Sequence, residues 1–105
     1  MGKIKAFGSF LINMIYDLDI PEKVAKEITD YKRNGNLSAY NKAMTFLEEL
    51  KIHPRTGTGK PEQLKFGLRE LWSRRINHEH RLVYSIKDEV VMVEVISAKG
   101  HYGDK

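Results

Sequence analysis

The strongest constraint on the fold is one run, His53-Pro54-Arg55-Thr56-Gly57-Thr58-Gly59-Lys60-Pro61. Its prolines lack the N–H that a helix or a central strand needs, and its glycines give up the most backbone entropy, so the run must be a loop. The chain is therefore built as one part before this loop and another after it. Before it, Val24, Ala25, Ile28 and Tyr31 recur at helical spacing, and Tyr40, Ala43, Met44, Leu47 and Leu50 do so again. Residues 22–33 are predicted to form an amphipathic helix that Pro21 opens and Asn34-Gly35-Asn36 ends; a second helix follows, capped by Asn36 or Ser38. Upstream, residues 13–20 alternate as a first strand does, with Ile15, Leu18 and Ile20 among the apolar positions.

After the loop the period changes to two. Residues 71–76 set Trp72, Arg74 and Ile76 against Ser73 and Arg75, and residues 81–86 set Leu82, Tyr84 and Ile86 against Arg81, Val83 and Ser85. Lys87-Asp88-Glu89 suits a hairpin turn, and residues 90–98 are β-branched enough for a central strand. The order β-α-α-β-β-β with short connections predicts an α+β fold, an antiparallel sheet covered on one face by two helices. The opposite face is left to the basic residues.

At 105 residues and 41% hydrophobic composition the chain can bury one core but not two, so a single domain is expected over residues 14–105. Met14 is a second candidate start, which makes residues 1–13 an N-terminal extension or disordered start. Lys3 and Lys5 ahead of the apolar stretch 6–16 look superficially like a secretion signal. No small-residue cleavage site follows, however, and Asp17 and Asp19 interrupt the run before it could cross a bilayer. Ala6 stands where a myristoylation signal requires Ser or Thr. The absence of cysteine excludes disulfides, thiolate metal sites and a cysteine nucleophile, and fits a reducing compartment. The expected location is cytoplasmic, with no membrane partner.

The net charge of +4 is unevenly spread. Residues 51–82 hold eight Lys and Arg against three Glu, a balance of +5 that leaves the rest of the chain at −1. A concentrated basic segment suits a polyanion partner, with counterion release supplying affinity. On charge alone a solvated surface explains it equally well.

Three constellations could carry chemistry. Gly57-Thr58-Gly59-Lys60 resembles part of a phosphate-binding loop, but the earlier glycine is missing and Pro61 replaces the Ser or Thr that would hold magnesium. His78 and His80 alternate on a strand and could share a metal, but no further ligand pair accompanies them, so an exposed turn is the better account. Glu62, Arg81 and His101 remain. RNA cleaves itself when a base takes the 2′-hydroxyl proton, a cation stabilises the phosphate and an acid protonates the leaving 5′-oxygen, and these three side chains are that set. As isolated polar residues they would more often be ordinary surface groups.

Gly57-Thr58-Gly59-Lys60-Pro61-Glu62-Gln63-Leu64-Lys65, then Leu71-Trp72-Ser73-Arg74-Arg75-Ile76 and Glu79-His80-Arg81-Leu82-Val83-Tyr84, with a terminal His101-Tyr102, resemble the Txe/YoeB family of bacterial toxins over residues 52–102. The resemblance implies the RelE-like microbial ribonuclease fold. It also implies a type II toxin–antitoxin toxin that cuts messenger RNA at the ribosomal A site without metal or cofactor and is inhibited by a YefM-like antitoxin. Position by position, it makes Glu62 the general base, Arg81 the phosphate-stabilising cation, His101 the general acid and Tyr102 a residue that orients the substrate. Lys60, Lys65, Arg74 and Arg75 fall among the basic positions expected to bind RNA. The implied partners are the antitoxin, the 70S ribosome and mRNA, with a homodimer left open. Two features depart from the pattern: the chain continues as Gly103-Asp104-Lys105, and Asn77-His78 occupies the variable turn.

Two other classes compete with this reading. A catalytically inert RNA- or ribosome-binding module would keep the basic segment without needing Glu62 and His101 together. A purely structural partner of another protein would explain the strand at residues 90–98 and the basic patch without chemistry.

Overall fold

The structure is a computed structural model, and it describes residues 15–65 and 70–100. Its elements are β1 (Asp17–Asp19), α1 (Glu22–Arg33), α2 (Leu37–Leu50), β2 (Glu62–Leu64), β3 (Leu71–Arg75), β4 (Arg81–Lys87), a 3₁₀ turn (Asp88–Val90) and β5 (Met92–Ser97). The first helix has the predicted bounds. Pro21 stands just before it, its carbonyl accepting the N–H groups of Val24 and Ala25 at 3.0 Å each, while Lys32 and Arg33 favour the negative end of the helix. Of the two candidate caps for α2, Asn36 is the one used, its side chain accepting from the Ala39 N–H at 3.2 Å.

The five strands run in the order β1-β5-β4-β3-β2. Two features differ from the expected antiparallel, four-stranded sheet. Glu62–Leu64 adds an edge strand, too short for alternation to reveal; Pro61 is tolerated beside it because an edge leaves one side without ladder bonds. Strand β1 pairs parallel with β5, Leu18 opposite Val93, which makes the sheet mixed. Two helices intervene between β1 and the rest, and only such a long crossover permits a parallel partner. The last strand starts at Met92 rather than 90, because Asp88–Val90 coils into the 3₁₀ turn and Val91 takes a left-handed conformation.

Val24 and Ile28 of α1 and Ala39, Ala43, Phe46, Leu47 and Leu50 of α2 pack on Leu82, Tyr84, Ile86, Val93 and Val95. Ala25 and Met44 of the expected stripes remain exposed, and Ala39 and Phe46 take their place in the core. Among the described residues no helix is long and apolar enough to cross a membrane.

One core position is not apolar. Arg74 is fully buried on the helix side of β3. Its Nε donates to the Tyr84 hydroxyl at 3.1 Å, Nη1 donates to Glu49 Oε1 and to the Thr58 carbonyl, and Nη2 donates to the carbonyls of His53 and Thr56. All five guanidinium donors are thereby matched to acceptors. The Tyr84 hydroxyl in turn donates to the Pro54 carbonyl at 2.8 Å, and Glu49 accepts from the N–H and hydroxyl of Thr58. The loop of residues 53–61 is thus wrapped around one cation. Gly57, at φ +119°, has no room for a Cβ, which would strike the Glu49 carboxylate. A second network ties this loop to the opposite end of the sheet: Arg55 makes a bidentate pair with Glu70 at 2.9 Å and reaches Asp88 at 2.7 Å, and Asp88 also accepts from the Tyr16 hydroxyl.

Replacing Arg74 with Met keeps the volume but takes the cation from Glu49 and the donors from three loop carbonyls. The expected loss is about 3–5 kcal/mol, the range for breaking a buried ion pair from one side. Urea unfolding checks it, and a loss under about 1 kcal/mol would contradict the role given to Arg74.

The same contacts set the acid stability. Arg55 holds Glu70 and Asp88 below their ordinary values; burial pushes Glu49 up, but Thr58 and Arg74 outweigh it and leave it lowered as well. Carboxylates depressed in the folded state contribute stability in full above their unfolded pKa, near pH 4, and lose it as pH falls through the folded values. Unfolding free energy should therefore fall below about pH 4, and the Glu70→Gln, Asp88→Asn double variant should show a shallower fall. An identical pH dependence in the double variant would contradict the assignment.

Candidate active site

Strand pairing decides which side chains share the sheet face away from the helices. Glu62 stands opposite Ser73, and Arg75 stands opposite Arg81. Directly opposed residues of an antiparallel pair project to the same side, as do residues two apart on one strand. Trp72, Ile76, Leu82 and Tyr84 pack with the helices. Glu62, Ser73, Arg75 and Arg81 therefore belong to the other face. From the strand spacing and the rise per residue, the Cα atoms of Glu62 and Arg81 lie about 12 Å apart. Two long side chains can close that gap around a phosphate group.

Each position has a local cause. Glu62 starts the edge strand directly after the Arg74-held loop, and the Gly59 carbonyl accepts the Arg75 N–H at 2.7 Å, which fixes that loop on β3. Lys60 is held at φ +52°, a strained value for a residue with a side chain. Arg81 opens β4 after a tight turn in which Asn77 Oδ1 accepts the N–H groups of Glu79 and His80.

The chain leaving β5 returns to Arg81. Glu27 accepts the Ala98 N–H at 2.8 Å and the Tyr31 hydroxyl donates to the Ala98 carbonyl at 2.7 Å. The Gly100 N–H donates to His80 Nδ1 at 2.9 Å, and the Arg81 N–H donates to the Gly100 carbonyl at 3.1 Å. The acceptor role of Nδ1 assigns the ring proton to Nε2. Burial, with the negative charges of Glu27 and Glu79, pushes the Tyr31 phenol up to about 12, so it remains a donor across the physiological range. Two successive residues, His80 and Arg81, thus clasp Gly100. His101 and Tyr102 follow it in sequence and lie outside the described residues.

The eight basic residues of segment 51–82 separate into groups. Arg74 was expected to contact RNA; instead it is buried and wholly engaged with the loop, and so cannot reach a ligand on the open face. Arg55 is taken up by Glu70 and Asp88, and Lys51 by Glu48. Lys60, Lys65 and Arg75 are exposed and Arg81 half-buried, and none of the four has an ion-pair partner among the described residues. Arg69 lies outside the described residues. A cavity of about 340 Å³ borders Arg75, Lys42 and Phe46 and so meets this site at Arg75, without touching Glu62 or Arg81.

The competing motifs change meaning in three dimensions. The Thr58 N–H, which a phosphate loop would offer to an anion, already serves Glu49. His80 belongs to the clasp on Gly100, and among the described residues no three His, Asp or Glu side chains gather as a metal site. Sequence reasoning missed this use of His80, because nothing local in His78-Glu79-His80 points to a residue twenty positions away. Replacing His80 with Leu removes the acceptor from the Gly100 N–H. Hydrogen exchange followed by NMR should then show faster exchange at Gly100 with α2 amides unchanged, and a stability loss of about 1 kcal/mol. Unchanged exchange at Gly100 would contradict the clasp.

Comparison with known proteins agrees with this architecture. Residues 25–102 match the family model described as the YoeB-like toxin of bacterial type II toxin–antitoxin systems. Toxin YoeB of Synechocystis sp. is 55% identical over 49 residues, 47% of this chain and 55% of that protein. Toxin YoeB of Escherichia coli is 41% identical over 56 residues, 53% of this chain and 64% of that protein. In these alignments the chain spans less than two thirds of the length of either relative. Among solved structures, the YoeB dimer from Staphylococcus aureus superposes with a TM-score of 0.69 at 32% identity, covering 83% of this chain and 98% of that one. The heterotetrameric YoeB–YefM complex from the same organism gives a TM-score of 0.66 at 32% identity, covering 83% of this chain and 98% of that one. The chain belongs to the YoeB-like toxin family of bacterial type II toxin–antitoxin systems.

Proposed function

We propose that this protein is a ribosome-dependent endoribonuclease that cuts messenger RNA in the A site by attack of the 2′-hydroxyl on the adjacent phosphate. The observation that carries this reading is the placement of Glu62, Arg75 and Arg81 on the sheet face turned from the helices, with Gly100, the residue before His101, clasped beside Arg81. Glu62 takes the 2′-hydroxyl proton, and Arg81 neutralises the charge that builds on the phosphate. His101 returns a proton to the departing 5′-oxygen, and Tyr102 orients the substrate. Lys60, Lys65 and Arg75 hold the RNA backbone. None of these steps calls for a metal or cofactor.

A YefM-like antitoxin as inhibitor is part of the same reading, supported by the likeness to the YoeB of the Staphylococcus aureus complex. The location is cytoplasmic, where translating ribosomes are found. A non-catalytic ribosome-binding module is the alternative. It would need the basic groups of Lys60, Lys65, Arg75 and Arg81 but would leave Glu62 without a task.

Single-turnover cleavage on programmed ribosomes distinguishes the two. The products should carry a 2′,3′-cyclic phosphate, and a 2′-deoxy sugar at the scissile position should block the reaction. Glu62→Gln and Arg81→Ala should each lower the rate by about a hundredfold or more, while ribosome affinity changes much less. Efficient cutting of the deoxy substrate, or equal losses in rate and affinity, would contradict the assigned roles.

A further inference from the structure

Burying a hydroxyl without a hydrogen-bond partner costs about 1–3 kcal/mol, so such groups are scarce in folded proteins and each calls for an explanation. Ser73 is 1% exposed, and among the described residues its Oγ is the one buried side-chain polar atom without a partner. Its position is informative. It lies at the centre of β3, with Glu62 directly opposite on one side and Val83 on the other, and Arg75 follows two residues along the same face. A short, buried side chain thus lies among the longer Glu62, Arg75 and Arg81.

The packing does not require a hydroxyl there. On the same face the neighbouring Leu71 and Val83 are apolar and buried, and a small apolar residue would fill the position of Ser73 equally well. The buried donor is therefore kept without a folded-state use, which is the pattern of a group completed by a ligand.

We propose that Ser73 is a substrate-contacting residue of this site, its hydroxyl donating a hydrogen bond to a non-bridging oxygen of the phosphodiester held between Glu62 and Arg81. The proposal rests on the reading of this face as an RNA-cleaving site. A phosphate oxygen is anionic, so the bond is charge-assisted and stronger than one between neutral groups. It also strengthens as negative charge accumulates on the phosphorus oxygens, which places its benefit in the rate more than in binding. Neither proton nor covalent bond passes through Ser73.

The test is Ser73→Ala, read in three ways on the intact chain with programmed ribosomes: single-turnover cleavage rate, ribosome affinity and thermal midpoint. The expected rate is about tenfold to a hundredfold below the parent's, the loss for one hydrogen bond to a charged group. Affinity should change by less than about threefold, since the bond acts mainly in the transition state. The midpoint should stay level or rise, because alanine removes an unsatisfied polar group. A Ser73→Cys variant, which keeps the size and a weak donor, should fall between the two in rate.

An alanine variant that cuts as fast as the parent would overturn the proposal. So would one that melts several degrees lower, which would show the hydroxyl serving the fold. If the parent itself leaves the transcript intact, the reading of the site fails with it; if parent and variant cut alike, only the role of Ser73 fails.

Discussion

The guanidinium of Arg74 is the point on which the two parts of this protein meet. A loop rich in proline and glycine cannot satisfy its own carbonyls through a helix or a sheet, and the carbonyls it turns inward need a donor from elsewhere. Arg74 supplies donors to His53, Thr56 and Thr58, anchors them to Glu49 of α2 and Tyr84 of β4, and is itself buried between the rings of Phe46 and Tyr84. A lysine could not replace it, because three donors on a point charge cannot meet five acceptors spread in a plane. The loop's course, the entry into β2 and hence the position of Glu62 all follow from this one side chain.

Two adjacent arginines consequently have opposite uses. Arg74 faces the helices and holds the fold together, whereas Arg75 faces away from them and is exposed. The charge of the segment is divided in the same way. Arg55 ties the loop to Glu70 and Asp88, whereas Lys60, Lys65, Arg75 and Arg81 have no ion-pair partner among the described residues. The far side of the site depends on a different anchor. Glu27, Tyr31 and His80 hold Ala98 and Gly100, so that α1 and the β3–β4 turn together set where the end of the chain begins.

Much of this could be read from the residues, and the failures have physical causes. The helices were visible because their apolar stripes coincide with clear stop signals, Pro21 at one end and Asn34-Gly35 in the middle. β2 was not, since three residues carry no period, and the parallel pairing of β1 with β5 depends on contacts some 75 residues apart. The expectation that Arg74 binds RNA treated the basic residues of the segment as one group. Alternation had already placed Arg74 with Trp72 and Ile76, on the side that the helices cover, and taking that period seriously would have separated it from Arg75. For Ser73 the sequence offers no signal, because only a three-dimensional count of donors and acceptors reveals that its hydroxyl has no partner.

If Glu62, Arg75 and Arg81 act as we propose, this sheet face cuts messenger RNA on the ribosome, and primer extension on transcripts from translating cells reads that cutting. After induced expression of the protein, reverse-transcription stops are expected within codons, in register with the reading frame, and absent from a transcript whose start codon has been removed. Stops that ignore the frame and persist on the untranslated transcript, or transcripts left intact while the protein is bound to ribosomes, would contradict the account.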